Sequence, residues 1–118
     1  MSKTPEEIEM AQRAFCRGRV IEYVASPEIS KLGFAFSTKG RSPLNGLRHP
    51  PQDDTNGWYL WFGEEFETAP DFFKPLHTTH IYDEFPEVIR LLGLPPGYRF
   101  LLSENYLDVW NDPSLLAI

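Results

Sequence analysis

The 118-residue sequence has one cysteine, no long apolar run and no excess of basic residues. A lone cysteine, Cys16, cannot form an internal disulfide, which fits a reducing compartment, and we expect it to be buried and inert. The N-terminus lacks the apolar segment of a signal peptide, and no stretch reaches the ~18 apolar residues of a membrane span. These absences predict a cytoplasmic protein with no membrane partner.

The charge balance is acidic, because 17 Asp and Glu face 11 Lys and Arg and the net charge is -6. Phosphate binding needs a basic face, so we do not expect nucleic acid as a partner. A negative surface suits a basic protein partner, although it also serves solubility alone.

Aromatic residues are abundant, at 14% of the chain, and so are prolines, of which there are 11. A chain of this length can bury a core without disulfides, so we expect a single domain over residues 1–118. The prolines predict that much of the chain is ordered loop.

Two helices are predicted from their end signals. The first begins at Thr4, where Pro5 suits the first helical position and Glu7 completes a capping box. The second covers residues 85–93, with Pro86 near its start and a glycine at its end.

Strand-like residues occupy 19–24, 32–37 and 57–62, and residues 98–110 read as a hairpin around a turn at 103–105. Residues 38–56 have turn chemistry and predict a long loop, and residues 63–84 predict irregular structure. Together, the predicted helices and strands indicate an α+β fold with about five mostly antiparallel strands. Residues 57–62 are apolar on both faces, which predicts a central strand with Trp58 and Trp61 buried.

One hypothesis is a small-molecule or metal-binding site, which could support hydrolysis. Its candidate residues are His49, His77, His80, Glu64 and Glu65. His77 and His80 are three apart and could share a metal, but no third ligand follows a zinc-site spacing and no catalytic motif is present. The competing interpretation is that the histidines tie loops together by hydrogen bonds. We therefore expect no enzyme activity, no metal and no cofactor.

Arg48 lies in a loop stiffened by two prolines at 50 and 51. A planar guanidinium there predicts hydrogen bonds to an acidic side chain or to loop carbonyls.

Five blocks of sequence together carry a family resemblance: NGLRHPP, GWYLWFGEE, DFFKPLH, LGLPPGYRFLL and DVWND. In this order and spacing, over residues 33–112, the chain resembles the immunity protein 33 domain family of bacterial polymorphic toxin systems. The most specific element is Gly57-Trp58 followed by Gly63-Glu64. The motif positions are Arg48, Gly57, Trp58, Trp61, Gly63 and Trp110.

The resemblance implies a non-enzymatic α+β domain that binds and neutralises a toxin protein, and no catalytic residues carry over from it. Acidic and aromatic residues after the central strand are the candidate partner-binding residues, because charge steers encounter and apolar area holds a complex. They are Glu64, Glu65, Phe66, Glu67, Asp71, Phe72 and Phe73. The competing interpretation is that these aromatics are interior and the acids only keep the surface soluble.

Overall fold

A computed structural model describes residues 3–64 and 72–117, and a six-stranded sheet forms its centre. The strands are β1 (Lys31–Phe34), β2 (Leu44–Arg48), β3 (Thr55–Phe62), β4 (Lys74–His77), β5 (Tyr98–Ser103) and β6 (Tyr106–Asn111). Their order across the sheet is β4-β1-β3-β2-β5-β6. Only β1 and β3 pair in parallel, and the other four neighbouring pairs are antiparallel. The predicted α+β class is confirmed, with six strands where about five were expected.

The first helix, α1 (Pro5–Gly18), begins as predicted. The Thr4 N–H donates to Glu7 Oε1 at 2.8 Å, and the Glu7 N–H donates to Thr4 Oγ1 at 3.2 Å. The second helical region starts earlier than predicted, with α2 (Thr78–Glu84), and continues as a 3₁₀ helix over Pro86–Leu91. None of the helices within the described residues is long and apolar enough to span a membrane.

Helices α1 and α2 and the 3₁₀ helix Pro86–Leu91 pack on one side of the sheet, which we call the helix face, and bury the main core there. Its largest members on the sheet are Leu32, Phe34, Trp58, Leu60 and Phe100, all at most 1% exposed. Side chains alternate along a strand, so the residues between them point to the opposite side, which we call the second face. A smaller cluster forms there from Ala35, Leu47, Trp61, Phe72 and Leu115.

The predicted central strand is confirmed by β3, which lies between β1 and β2 and is covered on both sides. Trp58 is 0% exposed on the helix face and Trp61 is 3% exposed on the second face. The hairpin is confirmed as well, because β5 and β6 pair without a register shift around a two-residue turn.

The strand predicted at residues 19–24 is wrong. That segment has no strand in the structure, and Val20 has a φ of 57°, outside the extended region. The carbonyl groups of Val24 and Ala25 accept hydrogen bonds from the side chain of Arg48 rather than from a neighbouring strand. Tertiary contacts therefore override the β-propensity of this segment.

The loop predicted over residues 38–56 is wrong in part, because it contains β2. Gly46, which reads as a turn residue, packs beneath the ring of Phe100. A Cβ at this position would lie 2.3 Å from Phe100 Cε2, so the glycine serves close packing within the sheet. The short strand β4 was also missed, since residues 63–84 were predicted to be irregular.

Candidate protein-binding surface

Part of the predicted partner-binding segment lies within the described residues. Glu64 follows the end of β3 and is exposed, whereas Phe72 is buried and Phe73 is half-buried. The other four predicted residues lie outside the described part of the chain, namely Glu65, Phe66, Glu67 and Asp71. A role of this segment in partner binding stays a prediction.

The two phenylalanines pack on the second face of the sheet as an aromatic cluster. The Phe73 ring centroid lies 4.8 Å from that of Phe72, 5.2 Å from Tyr59 and 6.0 Å from Trp61, and all three contacts are edge-to-face. Gly33 leaves room for this cluster, because a Cβ there would lie 2.6 Å from Tyr59 Cδ1.

Arg48 is 1% exposed, and its guanidinium group donates hydrogen bonds to four backbone carbonyl groups. Its Nε donates to Asn56 O at 2.8 Å, Nη1 donates to Val24 O and Leu94 O at 2.8 Å each, and Nη2 donates to Ala25 O at 2.9 Å. The prediction that Arg48 bonds loop carbonyls is confirmed. Burial lowers the pKa of Arg48 to about 10, which leaves the guanidinium charged at neutral pH.

Gly57 is needed beside Arg48 for a steric reason. Its φ is +91°, and a Cβ there would lie 1.9 Å from the carbonyl oxygen of His49. The His49 N–H donates to Gly57 O at 2.9 Å, so β2 and β3 come together closely at this point. The Gly-Trp motif therefore serves the close approach of two strands.

Trp58 extends the polar network around Arg48 into the main core. Its ring centroid is 5.7 Å from the Arg48 guanidinium carbon, and its Nε1 donates to Ser26 Oγ and to Leu92 O at 3.1 Å each. Tyr82 donates its hydroxyl proton to Ser26 O at 2.8 Å and accepts from Gln12 Nε2 at 2.8 Å. The network thus joins the sheet to both helices and to the segment before β1.

The remaining motif residues lie farther along the sheet. Gly63 has a φ of +93°, donates its N–H to Pro43 O at 2.8 Å and accepts from Asn45 Nδ2 at 2.7 Å. Trp110 lies on β6 and is 37% exposed, with the Arg99 guanidinium carbon 5.6 Å from its ring centroid. Trp110 therefore belongs to the surface rather than to the core.

Among the proposed metal or catalytic residues that the structure describes, Glu64 lies far from His77, and Glu65 lies outside the described residues. His77 pairs with Lys31, which pairs with Thr55 at the start of β3. Glu64 follows the other end of this eight-residue strand, which is about 26 Å long at ~3.3 Å per residue. His49 Nδ1 lies 2.9 Å from Leu115 O. The prediction that the histidines tie loops together by hydrogen bonds is therefore confirmed for His49. His77 and His80 lie with ring centroids 6.2 Å apart. In residues 3–64 and 72–117, no group of three or more His, Cys, Asp or Glu could hold a metal ion.

Cys16 is buried, as expected, and its Sγ lies 3.5 Å from Gly93 O. Burial raises the pKa of the Cys16 thiol, which disfavours the reactive thiolate.

An open cleft of about 510 Å³ lies at the sheet end where Glu64 is found. Leu44, Phe62, Phe85 and Leu102 supply its apolar side chains, and charged and polar residues complete the lining. These are Arg41, Ser42, Glu87, Arg90, Ser103 and Glu104. The sequence does not predict this cleft, because its lining comes from four separate stretches of the chain.

The exposed side of β6 was missed too, although the sequence carries a signal for it. Tyr106, Asp108 and Trp110 alternate with Leu107 and Val109, and only the latter two pack against the main core. Alternation of this kind indicates one buried and one exposed side.

Comparison with known proteins identifies a family. A family model described as Imm33-like domain matches residues 11–112, which is most of the chain. No curated protein and no solved structure matches the sequence. The family match confirms the resemblance found from the sequence blocks, and this chain belongs to the Imm33-like domain family.

Proposed function

We propose that this chain is a non-enzymatic immunity protein that binds and neutralises a cognate bacterial toxin in the cytoplasm. The observation that carries the proposal is the match of the Imm33-like domain over residues 11–112. The separation of His77 and Glu64 to opposite ends of β3 supports binding over hydrolysis. The partner is a protein, and neither nucleic acid nor a membrane is required for the function.

The docking surface we propose is centred on residues 64–73. Glu64 is exposed at its start, and the sequence adds three further carboxylates, those of Glu65, Glu67 and Asp71. Such a cluster attracts a basic surface over a range of about 8 Å at physiological ionic strength. The neighbouring cleft supports the proposal, because its apolar side chains could accept an anchoring side chain of the partner.

Co-expression tests the function directly. A candidate toxin, taken from a reading frame next to this gene, is expressed in a bacterial host with and without this chain, and growth is followed. We expect the chain to restore growth and an empty vector to leave it arrested. Persistent arrest with the folded chain present, together with no binding between the purified proteins, would show that the chain is not the immunity partner of that toxin.

The docking surface is tested by reversing its charge. The double variant Glu65→Lys, Glu67→Lys is expected to bind the toxin at least about tenfold more weakly, because attraction to a basic surface becomes repulsion. Wild-type affinity should also fall as salt rises, measured by calorimetry at several salt concentrations.

The matched control is Glu6→Lys, Glu22→Lys, which changes the net charge equally. Both residues are exposed, and neither lines the cleft. If the two double variants bind as the wild type does and salt has no effect, the interface lies elsewhere on the molecule.

A further inference from the structure

The two edge strands of the sheet differ in how they are protected against pairing with another chain. The β4 edge has four residues and includes Lys74 and Pro75, which has no N–H to donate. The β6 edge has six residues, YLDVWN, without lysine or proline. It pairs with β5 in unbroken register and so has no bulge. Natural edge strands are usually blunted by lysine, proline, bulges or short length, so β6 is unusually open.

The hydrogen-bond pattern shows which groups of β6 point outward. Tyr98 pairs with Asn111, so Gly97 and Asp112 form the next pair of the ladder. This next pair is hydrogen-bonded, because the Asp112 N–H donates to Gly97 O at 2.6 Å. Hydrogen-bonded pairs alternate along an antiparallel ladder, so residues 106, 108 and 110 bond inward to β5. Leu107 and Val109, with Asn111, therefore point their N–H and C=O groups away from the sheet. No hydrogen bond to these groups forms within residues 3–64 and 72–117.

The side chains along this edge are aromatic and acidic. Tyr106 is 56% exposed and Trp110 is 37% exposed, and the exposed Asp108 lies between them on the second face. Arg99, opposite Trp110, already pairs with Asp112, with Nη1 and Oδ2 3.3 Å apart. The carboxylate of Asp108 has no ion-pair partner in the described part of the chain.

We propose that β6 binds an extended, basic segment of a partner protein as a seventh strand of the sheet. The inference rests on the proposed binding function and names an edge by which the partner is held. Backbone hydrogen bonds to the outward groups supply affinity in this mode, and side chains on alternate positions supply selectivity. A lysine or arginine opposite Asp108 provides the charge complement, and Tyr106 and Trp110 pack against its apolar stem.

The charge on β6 argues for a basic partner over a second copy of this chain. Two β6 strands paired antiparallel in the register centred on Asp108 would set this carboxylate opposite itself. Like charges directly opposite each other destabilise a strand pair, whereas opposite charges stabilise it.

A peptide titration of the full, isotope-labelled chain tests the proposal at low salt, with backbone amide resonances as the readout. Three synthetic peptides are compared: an alternating Lys-Val hexapeptide, its Glu-Val counterpart, and the Lys-Val peptide methylated at every backbone nitrogen. We expect the Lys-Val peptide to shift the amides of Leu107, Val109 and Asn111 in a saturable way. The Glu-Val peptide should bind at least about tenfold more weakly, and the methylated peptide should not shift these amides.

Two variants localise the effect. Asp108→Lys is expected to weaken binding of the Lys-Val peptide about tenfold, whereas Glu22→Lys, with the same charge change at another exposed site, should not. Asn111→Pro removes one outward N–H at an edge where proline is tolerated, and it should also weaken binding. Dispersed spectra away from β6 verify that both variants fold.

Three results would overturn the proposal. The methylated peptide could shift the same amides equally, the shifts could lie outside β6, or the amides of β6 could shift with protein concentration alone, which would identify a second copy as the occupant. Growth rescue separates this proposal from the proposed function. If Asp108→Lys still protects against the toxin as the wild type does, immunity stands and the β6 edge is not the toxin site.

Discussion

Replacing Arg48 with methionine is expected to lower the free energy of unfolding by about 3–5 kcal/mol, because each buried acceptor left without a donor costs about 1–3 kcal/mol. The substitution keeps an unbranched apolar stem but removes the donors to four carbonyl groups. The bonds to Asn56 and Leu94 are buried, and those to Val24 and Ala25 are partly buried. A buried acceptor left without a donor loses the hydrogen bond it had in water and gains nothing in return. Urea denaturation followed by circular dichroism measures the change.

Two comparisons make the Arg48 result specific. Arg48→Lys keeps the charge but has one nitrogen, which cannot reach four carbonyls arranged for a planar fork, so it should also be destabilised. Arg17→Met changes an exposed arginine of α1 and should alter the free energy of unfolding by no more than about 0.5 kcal/mol. An Arg48→Met protein as stable as the wild type would mean that the four carbonyls find water or other donors.

Replacing Trp58 with alanine is expected to cost about 3–5 kcal/mol, the usual loss for emptying a buried aromatic site. The ring is 0% exposed and packs 5.5 Å from the ring centroid of Phe100. The loss of Nε1 also removes a donor to Ser26 Oγ and Leu92 O. A thermal melt unchanged by the substitution would contradict the assignment of β3 as the central strand.

The nature of the Trp58 effect can be resolved with two further variants. Trp58→Phe keeps most of the apolar ring and loses the N–H donor, so it should be destabilised less than Trp58→Ala. Trp110→Ala removes a tryptophan that is 37% exposed on the edge strand, and it should cost clearly less than Trp58→Ala. A larger loss of stability from Trp110→Ala than from Trp58→Ala would contradict the assignment of Trp58 to the main core.

The side chains of Arg48 and Trp58 both hold the irregular segment before β1 in place. Val24 and Ala25 bond Arg48, and Ser26 bonds Trp58 and Tyr82, so side chains replace the backbone ladder of a sheet at three successive residues. The segment therefore joins α1 to the sheet without being a strand. A rigid frame of this kind suits a binding module, because a preorganised surface loses little entropy when its partner docks.

Local sequence determined those elements whose signals are complete within a short stretch. The capping box of Thr4 and Glu7 starts α1, the unbroken apolar run of β3 requires cover on both faces, and turn residues between two apolar stretches predict the β5–β6 hairpin. Motif order and spacing were also enough to identify the family. In each case the physical cause lies in neighbouring residues, so no knowledge of distant contacts is needed.

Tertiary structure alone decided which segments become strands when local signals are weak or misleading. Residues 19–24 have strand propensity but form no strand, and the Val24 carbonyl accepts a hydrogen bond from Arg48. Gly46 reads as a turn residue but packs under Phe100 within β2. The topology likewise placed His77 and Glu64 at opposite ends of β3 and left β6 as an open edge. The physical reason is that strand pairing and burial depend on which distant residues meet, and the periodicity of a single stretch does not contain that information.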